Sequence, residues 1–132
     1  MYFLKNNFYE FEDYLVCGTR GWLCPGDTRY TDHDKKIYLR EVGRLKLSLE
    51  SAVNSGKYND NIILMMHFPP TNDKHDKSEF IELIEKYNIK RVIYGHLHGK
   101  KKYDNSLIGN ENNVEYSLVS ADYLGFKPIK IL

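Results

Sequence analysis

The chain is poor in cysteine, with only Cys17 and Cys24 among 132 residues. Two thiols are too few for a disulfide scaffold, and their spacing is wrong for a zinc knuckle. Reduced thiols are the expectation, with an oxidised Cys17–Cys24 bridge as the alternative. Charge of one sign is also lacking. Nineteen lysines and arginines against 18 aspartates and glutamates leave a net charge of +1, so no bulk field recommends nucleic acid or an anionic membrane as partner. No apolar run approaches the roughly 20 residues of a bilayer span. Residues 1–7 lack the basic-then-apolar order of a secretory leader. These absences point to the cytoplasm. Repeats and low-complexity linkers are missing as well, so residues 1–132 read as a single domain. At 42% hydrophobic and 28% charged residues, the composition is globular and the length sufficient for a core.

The pattern of apolar residues outlines an α/β chain. Residues 2–4, 7–11 and 14–18 have strand character and suggest a small antiparallel meander. A loop rich in turn residues follows, through Gly18-Thr19-Arg20-Gly21-Trp22 and Cys24-Pro25-Gly26-Asp27. From Asp32 to about Asn54, Tyr38, Val42, Leu45, Leu49, Ala52 and Val53 recur at three- and four-residue steps, which predicts a long helix. Thr31 or Asp32 can cap it, and Gly56 can end it. Its other face carries Lys35, Lys36, Arg40, Glu41, Arg44, Lys46 and Glu50 and reads as the solvated side. Ile62-Ile63-Leu64-Met65-Met66 is a continuous apolar run, suited to a strand buried on both faces of a parallel sheet. A second helix is predicted over 77–87, started by Asp76 with Glu79 and stopped by Asn88. Arg91-Val92-Ile93-Tyr94 is the next strand. Val114, Tyr116 and Leu118 alternate with polar residues as in a half-buried strand. Residues 129–132, after Pro128, suit an edge strand.

Topology makes the histidines informative. Strand, helix and strand with short connections form a βαβ unit whose two strands run parallel. His67 then follows one strand, and Gly95-His96-Leu97-His98-Gly99 follows the other, at the same carboxyl edge of the sheet. Ligands of open α/β sheets bind at that edge. In extended chain His96 and His98 point the same way. The flanking glycines tolerate close backbone approach, and Pro69 and Pro70 stiffen the segment after His67. Three converging neutral imidazoles suit a borderline transition metal. His33 falls in the first turn of the long helix and reads as surface. His75 lies in a loop near the same edge, within reach of substrate or water. Arg20 is a candidate phosphate contact, since a guanidinium forks onto phosphate oxygens. Trp22 reads as a packing residue. Asp122 is placed to orient a ligating imidazole.

Met66-His67-Phe68-Pro69-Pro70, then a helix, then Tyr94-Gly95-His96-Leu97-His98-Gly99, resembles the C-terminal part of calcineurin-like metallophosphoesterases. Gly18-Thr19-Arg20-Gly21-Trp22 before a long helix resembles a bacterial predicted-phosphohydrolase branch of that family. The resemblance implies the C-terminal half of an α/β/β/α sandwich, a mixed sheet with a parallel βαβ unit and flanking helices. It also implies a dinuclear site of manganese, iron or zinc ions acting on a phosphorylated small molecule or a phosphodiester. By similarity, His67 and His96 bind the second metal and His98 the first. The two ions clamp a phosphoryl oxygen while an activated water attacks phosphorus in line. The family's D-x-H, G-D-x-x-D and G-N-H-D/E motifs, which lie N-terminal to this part in the family, do not occur ahead of His67. They would supply the bridging aspartate, further ligands and the acid histidine. The chain is therefore expected to be a fragment, with no catalytic acid of its own and an apolar sheet surface through which it forms homodimers. Two other readings use the same residues. One is a self-sufficient protein or hydrolase holding a single metal on His67, His96 and His98 with an open fourth position. The other is a non-catalytic binding module that touches phosphate through Lys100, Lys101 and Lys102.

Overall fold

The computed structural model describes residues 8–11, 14–55, 61–95 and 107–119. In chain order these form β1 (Phe8–Phe11), β2 (Tyr14–Thr19), α1 (Asp32–Asn54), β3 (Ile62–Met66), α2 (Glu79–Lys86), β4 (Arg91–Tyr94), β5 (Gly109–Glu111) and β6 (Val114–Leu118). One mixed sheet has the order β1-β2-β3-β4-β6-β5. The β1–β2 and β5–β6 pairs are antiparallel, and the interior pairs are parallel. The chain is α/β, as its apolar pattern implied. The expected segments at 2–4 and 129–132, the proposed stop at Gly56, and His96, His98, Gly99 and Asp122 lie outside the described residues.

The meander is half right. β1 and β2 form a hairpin with Phe8 opposite Cys17, but β2 then pairs in parallel with β3, Leu15 opposite Ile62 and Thr19 opposite Met66. The chain thus makes two successive parallel crossovers, β2-α1-β3 and β3-α2-β4. Right-handed crossovers that step the same way across a sheet place their helices on the same face. Residue parity agrees. Leu15, Cys17, Ile62, Leu64, Met66, Val92, Tyr94, Tyr116 and Leu118 share one core with Tyr38, Leu45 and Leu49 of α1 and Phe80 and Ile84 of α2. On the opposite face Ile63 and Ile93 are 4% and 5% exposed, but Met65, in an interior strand, is 45% exposed.

Both helices begin on polar caps. The Asp34 carboxylate accepts from the Thr31 N–H at 2.8 Å and from its hydroxyl at 2.9 Å, which holds the first turn of α1. α2 starts two residues later than its pattern suggested. Ser78, not Asp76, is its cap: the Ser78 hydroxyl accepts from the Ile81 N–H at 3.1 Å and donates to the Pro70 carbonyl. Asp76 instead holds the preceding loop, its carboxylate accepting from Asn72 at 2.8 Å. Asn88 takes a left-handed φ of 54°, the stop expected of it.

Glu41 corrects the reading of α1's outer face. It is 1% exposed. The Thr19 hydroxyl donates to its Oε1 at 2.8 Å, and Arg44 Nη1 lies 2.8 Å from its Oε2. A buried charge is tolerable only with such partners. Ser48 is buried beside it and accepts from the Gly18 N–H at 3.2 Å. Val53, expected inside, is 37% exposed.

Candidate metal centre at the carboxyl edge

The register puts Thr19, Met66, Tyr94 and Leu118 side by side at the carboxyl ends of β2, β3, β4 and β6. The backbone ladder runs one row further. The Phe68 N–H donates to the Arg20 carbonyl at 3.0 Å, Gly95 N–H to His67 carbonyl at 3.2 Å, and Val119 N–H to Tyr94 carbonyl at 2.8 Å. His67 therefore stands at the edge, exposed, with Arg20 on one neighbouring strand and Gly95 on the other. Gly95 directly precedes His96. The parallel βαβ arrangement on which the clustering argument depends is present. Among the described residues, a Cβ at Gly95 would meet only the His67 carbonyl oxygen, at 3.9 Å. The described neighbours therefore do not demand glycine there.

Glycine is demanded in the β2–α1 loop. Gly21 has φ 74°, and a Cβ on it would lie 2.9 Å from Met66 Cε and 3.3 Å from Phe68 Cβ. That approach lets Trp22 lean on Phe68, ring centroids 4.9 Å apart, while the His67 ring meets Phe68 edge-on at 5.3 Å. Arg20 lies over Trp22, 4.8 Å from its ring centre, and 3.5 Å from Glu41. A cation on an aromatic face is held in place, so the edge carries an ordered, half-exposed guanidinium. The Trp22 indole N–H donates to Asp34 at 2.9 Å, anchoring the ring to α1.

The loops on this edge are tied together. Asn72, 4% exposed, donates to the Pro25 carbonyl at 2.9 Å, and its side-chain oxygen accepts from the N–H groups of Lys74 and Asp76. Thr28 donates to Asp73 at 2.6 Å, and Asp27 accepts from the Asp73 N–H at 3.2 Å. His75 sits in this clasp with a φ of 58°. It borders a cavity of about 210 Å³ between α2 and the β5–β6 hairpin, with Thr71, Lys77, Ile81, Glu85 and Tyr116. Sequence reasoning gave no sign of Asn72, because side-chain bonds within loops leave no periodic trace.

Two groups are chemically quiet here. Cys17 and Cys24 are free thiols, and burial pushes them up to about 11 and about 12. Both stay protonated at neutral pH, and neither suits nucleophilic or ligand duty. The Asp34 carboxyl is held below the usual value of 3.8, chiefly by the Trp22 hydrogen bond and then by Thr31. A depressed folded-state value means stability that is present above the unfolded value and lost as pH falls through the folded one. Acid titration should therefore weaken the fold below about pH 4, and Asp34→Asn should flatten that decline. Urea midpoints at pH 3, 4 and 6 check this.

A family model for calcineurin-like phosphoesterases matches residues 2–100. The chain belongs to the calcineurin-like phosphoesterase family. The match spans β1 to β4 and includes His67, His96 and His98. No curated protein and no solved structure matches. Calcineurin-like phosphoesterases bind divalent metals and act on phosphorylated substrates. Among the described residues no three histidine, cysteine, aspartate or glutamate side chains group to hold an ion, and two of the three candidate imidazoles lie outside those residues. What is described fits a metal in part. His67 is exposed at the edge, and its backbone is bonded to the residue before His96. Imidazole suits zinc, manganese or iron. An imidazole ligand brings no charge of its own, so an ion at such an edge would draw further, anionic ligands. Among the described residues no helix is long and apolar enough to cross a membrane.

Proposed function

We propose that these 132 residues are the C-terminal portion of a metal-dependent phosphoester hydrolase, contributing His67, His96 and His98 to its dinuclear centre. The observation that carries the reading is the hydrogen bond from Gly95 to His67. It joins the ends of two parallel strands, one leading into His67 and the other into His96 and His98. Divalent ions at that edge, manganese, iron or zinc, would act as Lewis acids towards a phosphoryl oxygen. The chain's own part is to hold them with imidazoles and to fix the edge. Arg20, clamped by Trp22 and Glu41, presents a positive group to substrate phosphate. His75 stands on the rim as a second candidate contact.

Met65, exposed on a face where its neighbours Ile63 and Ile93 are buried, is what supports an incomplete domain. A parallel sheet is normally covered on both faces, and the described helices cover one. Further strands of a complete sandwich would pack on the other, and without them self-association into dimers is expected.

Metal stoichiometry tests this reading against a self-sufficient mononuclear site. Equilibrium dialysis with zinc and manganese should show weak binding by the chain, abolished in His96→Ala. One tightly held ion per chain with robust hydrolysis would instead establish the single-metal protein.

A further inference from the structure

Three guanidinium groups converge on one carboxylate oxygen next to the carboxyl edge. Glu41 Oε2 faces Arg44 Nη1 at 2.8 Å, Arg20 Nη2 at 3.5 Å and Arg40 Nε at 3.7 Å. Its other oxygen is taken by the Thr19 hydroxyl at 2.8 Å. Glu41 is 1% exposed, whereas the side chains of Arg44, Arg20 and Arg40 are 34%, 48% and 53% exposed. Among the described residues, three cations against one anion leave a local surplus of 3 − 1 = +2.

The arrangement is ordered on the protein side and open on the solvent side. A guanidinium carries five N–H donors in a rigid fork. Each arginine turns one nitrogen to Glu41 and keeps other donors for a second acceptor. Arg20 is braced by Trp22, 4.8 Å away, and its carbonyl is bonded to Phe68. Arg40 and Arg44 stand one turn apart on α1, a helix fixed against β2 through Glu41 and Ser48. Water solvates such a cluster but does not neutralise it. A phosphate group carries about −1.5 to −2 charge at pH 7 and offers three strong acceptor oxygens, which matches the surplus in both charge and donor geometry.

We infer that Arg20, Arg40 and Arg44 form an anion site for a dianionic phosphate group, gathered by the buried Glu41 carboxylate. Glu41 is a positioning residue and at the same time an internal competitor for the incoming anion. The ligand class is a phosphate-bearing small molecule whose second portion lies along the edge beside Phe68 and His67. The inference rests on the arginine geometry and not on the metal reading.

The test omits metal. The full chain in chelator is titrated with inorganic phosphate at constant ionic strength, and the arginine Nε–H resonances are followed by NMR. Saturable shifts of Arg20, Arg40 and Arg44 are expected, with Kd on the order of 1 mM, sulfate competing and chloride not. Arg40→Gln should weaken binding by about three- to tenfold. Glu41→Gln keeps the acceptor for Thr19 but removes the competing charge, so it should tighten binding by about the same factor. A merely structural cluster would weaken in both variants, and that result, or the absence of saturable shifts, overturns the proposal. If Glu41→Gln does not fold, Arg44→Gln decides: a loss like that of Arg40→Gln supports the site, and unchanged binding refutes it. Metal binding by the histidines is measured separately. A chain that binds metal without phosphate sinks this inference alone, and one that binds phosphate without metal sinks only the phosphoesterase reading.

Discussion

With manganese supplied, the 132-residue chain should hydrolyse a generic phosphodiester at least about 10²-fold more slowly than a longer polypeptide carrying the absent motifs, and by as much as about 10⁴-fold. Two-metal hydrolysis needs a carboxylate bridge to set the spacing of the ions and anionic ligands to offset their charge. His67, His96 and His98 bring no charge, and by family resemblance they divide between the two ions. Leaving-group protonation needs an acid, and the family's acid histidine motif is missing from this sequence. The thiols do not substitute, because Cys17 and Cys24 are buried and protonated. Initial rates for the chain and for an extended version, each with and without His96→Ala, check the expectation. Full activity in the short chain, lost on His96→Ala, would favour a self-sufficient histidine site.

The second large effect concerns the two faces of β3. Leu64 is fully buried against the helices, and Met65, the next residue, is 45% exposed on the other face. Leu64→Ala should cost about 2–5 kcal/mol, from lost burial plus the cavity left behind. That is a large part of the roughly 5–15 kcal/mol that holds a domain of this kind together. Met65→Ala should cost less than about 1 kcal/mol. Chemical denaturation of both variants reads the difference directly, and equal losses would mean that Met65 too is covered. Met65→Lys extends the test. It should be harmless in this chain and strongly destabilising in a polypeptide whose further strands bury that position.

The residues that announced themselves were those with a period. α1 spans Asp32–Asn54, as the recurrence of Tyr38, Leu45 and Leu49 required. β6 buries Val114, Tyr116 and Leu118 in strict alternation. The apolar run from Ile62 to Met66 and the strand Arg91–Tyr94 pair in parallel, which followed from the short helix between them. Features fixed by distant partners were hidden. The parallel pairing of β2 joins Leu15 to Ile62 across the whole of α1, and nothing local to Tyr14–Thr19 reveals it. Glu41 looked solvated because its neighbours on the helix are charged, and its burial depends on Thr19 and three arginines. β5, only Gly109–Glu111, has no apolar period. Its hint was the following Asn112-Asn113 pair, both at positive φ, 51° and 66°, as a tight hairpin turn demands. At the site, strand ends placed His67, but Arg20's brace on Trp22 and the Asn72 clasp are side-chain events that no spacing encodes.

The most direct test of the central claim is imidazole NMR during a zinc titration of this chain. Long-range ¹H–¹⁵N spectra resolve the ring nitrogens of His33, His67, His75, His96 and His98 individually. A dinuclear metal edge predicts that His67 and His96 shift together and saturate at one zinc concentration, that His98 also shifts and saturates, and that His33 and His75 move little. Independent shifts of His67 and His96, or a response confined to His33 and His75, would contradict a metal centre at the carboxyl edge of the sheet.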